Sequence, residues 1–234
     1  MMNYKHPLEL ISVSADVNHS KIDASIIWLH GLGADGYDFE PIAQRLLQLN
    51  AFARVRFILP HAPEMPVTRN NGYIMPAWYD VYGSIPITKE DEAGITASQT
   101  YINTLIKNEI NQGIPSNRVV LAGFSQGGAI ALYTALHYPD KLAAVIALST
   151  YLPLQAQFKS DANRASLAMP IFMAHGLFDD IIPLDLAKSA FDTLQNRRHL
   201  VTWHDYPMAH QLCEQEIIDI TQFLQQVLQL DLVE

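Results

Sequence analysis

The sequence predicts an α/β fold, a mostly parallel sheet with helices on both faces. Three observations point there. Short continuous apolar runs alternate with longer stretches of helical spacing, which is the rhythm of β–α units. The runs are rich in β-branched residues and lack the polar alternation of a half-solvated sheet, as expected of strands covered on both sides. The chain is 234 residues long with 49% hydrophobic and 17% charged residues, enough to bury a sizeable core in one domain spanning residues 1–234. No repeat, low-complexity tract or linker divides it.

In chain order, residues 8–13 read as an N-terminal, antiparallel edge strand, and residues 25–29 (Ser-Ile-Ile-Trp-Leu) as a buried strand ending at His30-Gly31. Further strands are predicted at 55–59, 119–122, 144–148, 171–174 and 201–203. Between them, Ile95, Ile102, Leu105, Ile106 and Ile110 recur at helical spacing ahead of the stop Gly113-Ile114-Pro115. Leu184, Ala187, Ala190, Phe191 and Leu194 form a second stripe, and Ile217, Ile220, Phe223, Leu224, Val227 and Leu228 a third. In such sheets ligands bind beyond the carboxyl ends of the strands, so the residues that follow strands are the ones to inspect.

Charge and cysteine content narrow the field. A formal net charge of −9 argues against nucleic acid or an anionic membrane surface as partner. The single cysteine, Cys213, allows no internal disulfide, which fits a reducing compartment. The start of the chain lacks the basic and apolar segments of a signal peptide, and the apolar run 142–148 is far shorter than a membrane helix. A cytoplasmic protein is expected.

After the strand at 119–122 comes Gly123-Phe124-Ser125-Gln126-Gly127-Gly128, then a helical stretch closed by Pro139. This is a G-x-S-x-G pattern in the strand–turn–helix setting of a nucleophile elbow. A sharp turn exposes the serine hydroxyl, flanking glycines leave room where side chains would clash, and the next helix aims its amides at the reacting atoms. The bland alternative is an incidental Gly/Ser turn.

A serine hydroxyl needs a base, and with this elbow the acid and then the histidine follow the nucleophile in the chain. Four of the nine histidines lie well downstream. His175 comes directly off a strand before Gly176 and reads as a turn residue. His199, beside Arg197 and Arg198, reads as solvated, and His204 as structural. His210 falls in the loop after the last strand, where the base belongs. The acid is expected in 175–183, where Asp179 and Asp180 compete and position does not separate them; one would orient the histidine and the other cap the next helix. Oxyanion donors are expected from the backbone of Gln126 and from the glycine-rich loop 30–36. Gly31, Gly33 and Gly36 also carry the glycine spacing of a dinucleotide turn, but no helix follows at once. No histidine pair has zincin spacing, so neither a metal nor a cofactor is expected.

Taken together, His30-Gly31-Leu32-Gly33-Ala34-Asp35-Gly36, Trp78-Tyr79-Asp80, Gly123 to Gly128, Ser149-Thr150-Tyr151-Leu152-Pro153, His175-Gly176 through Pro183 and Met208-Ala209-His210 resemble the bacterial carboxylesterase and acyl-protein thioesterase family of α/β-hydrolases over nearly the whole chain. The resemblance implies the α/β-hydrolase fold without a large cap domain. It implies Ser125 as nucleophile, His210 as base and Asp179, in the pattern H-G-x-x-D-x-x-V-P, as acid. It also implies the amides of Leu32 and Gln126 as oxyanion hole. The departures are mild: Ile182 replaces the usual Val, and Ile130 stands where Met is common. The form of the 75–80 and 149–151 blocks looks closer to the bacterial esterases than to the eukaryotic depalmitoylating branch.

The stretch 60–87, rich in Pro, Gly, Met and aromatic residues, is expected to form a long functional loop in which Met65, Tyr73, Met75 and Trp78 line an acyl pocket. The alternative is that these side chains pin the loop to the core. The resulting expectation is a carboxylesterase with a shallow, open site acting on small-molecule acyl esters of short to medium chain. The same triad would serve an acyl-protein thioesterase or a lysophospholipase, acting on acylated proteins or lipids. Exposed apolar loop surface would also suit a homodimer. A catalytically silent ligand-binding relative is disfavoured by the complete set of catalytic residues, and a peptidase on this fold by the lack of an added propeller or cap domain to restrict access.

Overall fold

In the computed structural model the described residues are 4–12, 22–83, 89–158 and 164–230. Seven strands form the main sheet: β1 (Leu8–Leu10), β2 (Ala24–Leu29), β3 (Val55–Leu59), β6 (Val119–Phe124), β7 (Ala144–Leu148), β8 (Pro170–Gly176) and β9 (Leu200–Tyr206). Their spatial order is β1-β3-β2-β6-β7-β8-β9. All neighbours are parallel except β1, which runs antiparallel along β3 with Leu8 opposite Leu59. The antiparallel N-terminal edge strand is thus present; Val13, its predicted end, lies outside the described residues.

The continuous apolar runs are explained by coverage on both sides. Along β2, Ile27 and Leu29 join one core with helices α2 (Glu92–Asn111), α3 (Gln126–His137) and α5 (Leu184–Asn196). The alternate residues Ile26 and Trp28 enter a second core with α1 (Glu40–Leu47) and α6 (Glu214–Val227). Trp28 stacks on Phe39 there, with ring centroids 5.0 Å apart. Each strand therefore feeds two cores, and fully burying each such aliphatic side chain contributes roughly 1.5–3 kcal/mol. A short helix, α4 (Arg164–Leu167), precedes β8.

The chain after β3 departs from the expected loop. Residues 64–76 form a two-stranded hairpin of β4 (Glu64–Val67) and β5 (Tyr73–Pro76), with Val67 opposite Tyr73 and Met65 opposite Met75. The turn uses left-handed backbone at Asn71 (φ 56°) and Gly72 (φ 74°), a conformation this residue pair adopts cheaply. Residues 84–88, the end of the predicted loop, lie outside the described residues.

The fold brings the carboxyl ends of β2, β6, β8 and β9 to one edge, and with them the loops that carry His30, Ser125, Asp179 and His210. Among the described residues no helix is long and apolar enough to cross a membrane.

Candidate active site

The site is built on the turn between β6 and α3. Ser125 holds a strained backbone (φ 54°, ψ −121°). Close approach explains the glycines around it. A Cβ on Gly123 would meet the Gly127 carbonyl oxygen at 2.4 Å, and one on Gly127 would meet the carbonyl oxygens of His30 and Leu29 at 2.4 and 2.5 Å. The turn is tied from below: Ser125 N–H donates to the Leu148 carbonyl at 2.8 Å, and Thr150 Oγ1 donates to the Ser125 carbonyl at 2.7 Å.

His210 approaches from the loop between β9 and α6. Its Nε2 lies 2.9 Å from Ser125 Oγ, and its Nδ1 lies 2.7 Å from Asp179 Oδ2. The Asp179 bond fixes Nδ1 as the protonated nitrogen and leaves Nε2 as acceptor for the serine proton. Phe124 packs on the imidazole with centroids 4.7 Å apart. The histidine loop rests on the end of β8: Leu177 N–H donates to Tyr206 O at 2.8 Å and Phe178 N–H to Met208 O at 3.0 Å. A Cβ on Gly176 would strike the carbonyl oxygens of Ala209 and Met208 at 2.4 and 2.5 Å.

Between the two candidate aspartates the geometry is unequal. Asp179 is buried, and its Oδ1 accepts the backbone N–H of Ile181 (2.9 Å) and Ile182 (2.8 Å) while Oδ2 faces His210. Burial raises its carboxyl, but the His210 bond and the two backbone donors outweigh burial and hold it below the usual carboxylate range. Asp180 is exposed, and helix α5 is preceded at its N-cap by Pro183 with no side-chain cap, so the expected capping role is not filled.

None of the other downstream histidines is hydrogen-bonded to Ser125, although His175 Nε2 lies 3.4 Å from Asp179 Oδ2. His175 is fully buried with Nε2 2.8 Å from the Ile182 carbonyl, in keeping with a turn role. His204 stacks on Phe172 at 4.3 Å. His199 corrects the expectation of a solvated residue: it is buried, with Nδ1 3.3 Å from the Ser166 carbonyl and its ring against Phe158 at a centroid distance of 5.9 Å.

Opposite the serine stands the loop after β2. His30 is fully buried and bonded through both nitrogens. Nδ1 lies 2.7 Å from the Gly31 carbonyl, and Nε2 accepts the Ala62 N–H at 3.0 Å. Burial lowers its pKa to about 4, so it is neutral at pH 7. Gly33 takes positive φ (79°) and donates to the Pro76 carbonyl at 2.9 Å, which ties the loop to the hairpin. Leu32 and Gln126 both border the cavity beside Ser125. Gln126 opens helix α3, where the first amides have no partner within the helix.

Beside Ser125 and His210 lies a cavity of about 360 Å³. Tyr79, Tyr151, Phe124 and Ile182 give it apolar walls, and Asp38 and Arg69 stand at its edge with Val81 and Gly83. The hydroxyls of Tyr79 and Tyr151 are 2.9 Å apart and buried. None of Met65, Tyr73, Met75 and Trp78 lines this cavity. Met65 and Met75 pair across the hairpin, Tyr73 is 70% exposed, and Trp78 is fully buried. Trp78 is a brace: its indole N–H donates to the His30 carbonyl at 2.8 Å and its backbone N–H to Gln126 Oε1 at 2.9 Å. Tyr79 takes the lining place beside it, a shift of one residue that spacing alone does not resolve. Among the described residues no three His, Cys, Asp or Glu side chains are grouped to hold a metal.

The chain resembles known proteins over most of its length. Residues 13–228 match the phospholipase/carboxylesterase family model. The chain is 41% identical over 212 residues to acyl-protein thioesterase 1 of Neurospora crassa, covering 86% of this chain and 85% of the relative. It is 40% identical over 223 residues to acyl-protein thioesterase 1 of Mycosarcoma maydis, covering 89% and 92%. Among solved structures, Arabidopsis thaliana SOBER1 superposes with a TM-score of 0.82 at 28% identity, covering 88% of this chain and 99% of the other. The chain belongs to the phospholipase/carboxylesterase family of α/β-hydrolases and is a hydrolase acting on ester bonds.

Proposed function

We propose that the protein hydrolyses thioester-linked acyl groups on proteins, through an acyl-enzyme on Ser125. The observation that carries the reading is the unbroken relay from Ser125 Oγ to His210 Nε2 (2.9 Å) and from His210 Nδ1 to Asp179 Oδ2 (2.7 Å). Ser125 Oγ attacks the acyl carbonyl as His210 Nε2 takes its proton. Asp179 steadies the imidazolium that forms. The backbone N–H groups of Leu32 and Gln126 receive the oxyanion. His210 then returns the proton to the departing sulfur or oxygen, and a water, activated by the same histidine, releases the acid and frees Ser125. The choice of thioesters over oxygen esters is supported by the relatives, which are named acyl-protein thioesterases at 40–41% identity.

A second reading, hydrolysis of short- to medium-chain oxygen esters of small molecules, is favoured by the modest cavity of about 360 Å³. Lysophospholipids fall within the same chemistry. A cytoplasmic location and a homodimer are part of the proposal, the latter checked by sedimentation.

One experiment separates the readings: kcat/KM for matched S-acyl-cysteine and O-acyl-serine peptides from acetyl to palmitoyl, with Ser125→Ala as control. Serine-dependent turnover that favours the thioester at longer chains supports the first reading. Turnover confined to short oxygen esters overturns it in favour of the second.

A further inference from the structure

Arg69 is the one permanent cation among the described residues that line the cavity, and Asp38 is the one carboxylate. The guanidinium is exposed at the mouth and makes no ion pair among the described residues. Its backbone, by contrast, is firmly held. Arg69 N–H donates to the Val81 carbonyl at 2.7 Å. The preceding Thr68 gives its N–H and hydroxyl to the two carboxylate oxygens of Asp80, at 2.7 and 2.6 Å. The turn that carries Arg69 is therefore fastened to the segment that forms the cavity wall.

The rest of the molecule makes this cation unusual. With a net charge of −9, the general field repels anions. A single guanidinium with no ion pair among the described residues, on the cavity that Ser125 also lines, reverses that preference locally. The buried aromatic wall at Tyr79 and Tyr151 suits the acyl chain, so the part of the substrate near the exposed mouth is the leaving group.

We infer that Arg69 selects the leaving group, favouring peptides with an acidic residue next to the acylated cysteine. The inference rests on the proposed thioesterase reading and specifies its substrate. Arg69 acts by binding: its planar fork pairs with a carboxylate that stays partly solvated, so the effect falls on KM and weakens as ionic strength rises. Asp38, on the same cavity, opposes it.

The test uses S-octanoyl-cysteine peptides that differ only in Asp, Asn or Lys beside the cysteine. For the wild type, kcat/KM is expected to be about fivefold higher for the Asp than for the Asn peptide, the size of a well-formed, partly exposed ion pair. Arg69→Gln brings that ratio to near one through KM, Arg69→Glu inverts it in favour of the Lys peptide, and Asp38→Asn raises it. An unchanged Asp/Asn ratio in Arg69→Gln, or a wild type without charge preference, overturns the role of Arg69 and leaves the thioesterase reading standing. Absence of turnover on every peptide, with oxygen esters still cleaved, overturns both.

Discussion

The side-chain carbonyl of Gln126 accepts the backbone N–H of Trp78 at 2.9 Å, while its amide nitrogen donates to the Tyr79 carbonyl at 2.7 Å. One residue thus supplies an amide beside Ser125 and clamps the segment that walls the cavity. Trp78 completes the brace by reaching back to the His30 carbonyl. Both sides of the proposed oxyanion hole are tied through this pair.

If the clamp sets that geometry, Gln126→Ala, which keeps the backbone amide, should lower kcat about tenfold to hundredfold. Trp78→Phe removes the indole bond and part of a fully buried ring, and should cost about 2–4 kcal/mol of stability with a smaller loss in kcat than Gln126→Ala. Urea unfolding beside steady-state kinetics on one ester checks both. Wild-type kcat in Gln126→Ala would remove the clamp from the account.

Asp179 and Asp180 should respond very differently. Asp179→Asn leaves His210 with the wrong tautomer and should reduce kcat by about 10⁴-fold. Asp180→Asn, at an exposed position, should stay near wild type. Ester turnover of the two variants in parallel decides between them.

Gly176 supports His210 at one remove. The Cβ of Gly176→Ala would press on the carbonyls of Met208 and Ala209 and shift the histidine loop. A displacement of this kind costs on the order of 100-fold in turnover. Reactivity of Ser125 toward a fluorophosphonate should fall in step, because that reaction uses the same base.

Acid should destabilise the fold through its buried histidines. His30 has a folded pKa of about 4 against an ordinary 6.5, so between those values the unfolded chain binds the extra proton. Stability is therefore fully present above pH 6.5 and falls as pH drops toward 4, by up to about 3 kcal/mol from this group. His175 and His199, also lowered chiefly by burial, add to the same limb. His30→Gln removes one titrating group. Denaturant midpoints from pH 7 to 4 should then show a shallower slope for the variant, whatever its absolute stability.

Burial of Glu216 predicts a trend of the same sense of cause but on the alkaline side. Burial, partly offset by the Cys213 backbone N–H, pushes its carboxyl up to about 8. The folded state holds that proton between about 4.5 and 8 while the unfolded chain has lost it, so stability declines as pH rises through this window. Glu216→Gln should gain stability over wild type at pH 9 and little at pH 4, as thermal unfolding at the two pH values would reveal.

Much of this architecture was legible because its signals are physical and local. Strands buried on both faces, such as β2 and β6, read as unbroken apolar runs. Strand β9 was underestimated at 201–203 because it is the sheet edge: Leu200–Tyr206 is largely part-exposed and includes His204 and Asp205. The hairpin at 64–76 was missed although Asn71-Gly72 is a turn signal, since Pro66 and Pro76 break the strand pattern on either side. That Ser125 and His210 both follow strands is legible from position, while which of Asp179 and Asp180 the turn buries against His210 is not, because the two neighbours are the same residue type. The cavity wall was the least readable part. Which of Trp78 and Tyr79 lines the cavity depends on hydrogen bonds to His30 and Gln126, partners distant in sequence.

The most direct test of the central claim is time-resolved intact-protein mass measurement after mixing with 4-nitrophenyl octanoate, followed by peptide mapping. The account predicts a transient octanoyl adduct on the peptide containing Ser125, formed before steady turnover and absent, with the turnover itself, in Ser125→Ala. Turnover that persists in Ser125→Ala, or an acyl group carried at any other residue, would contradict it.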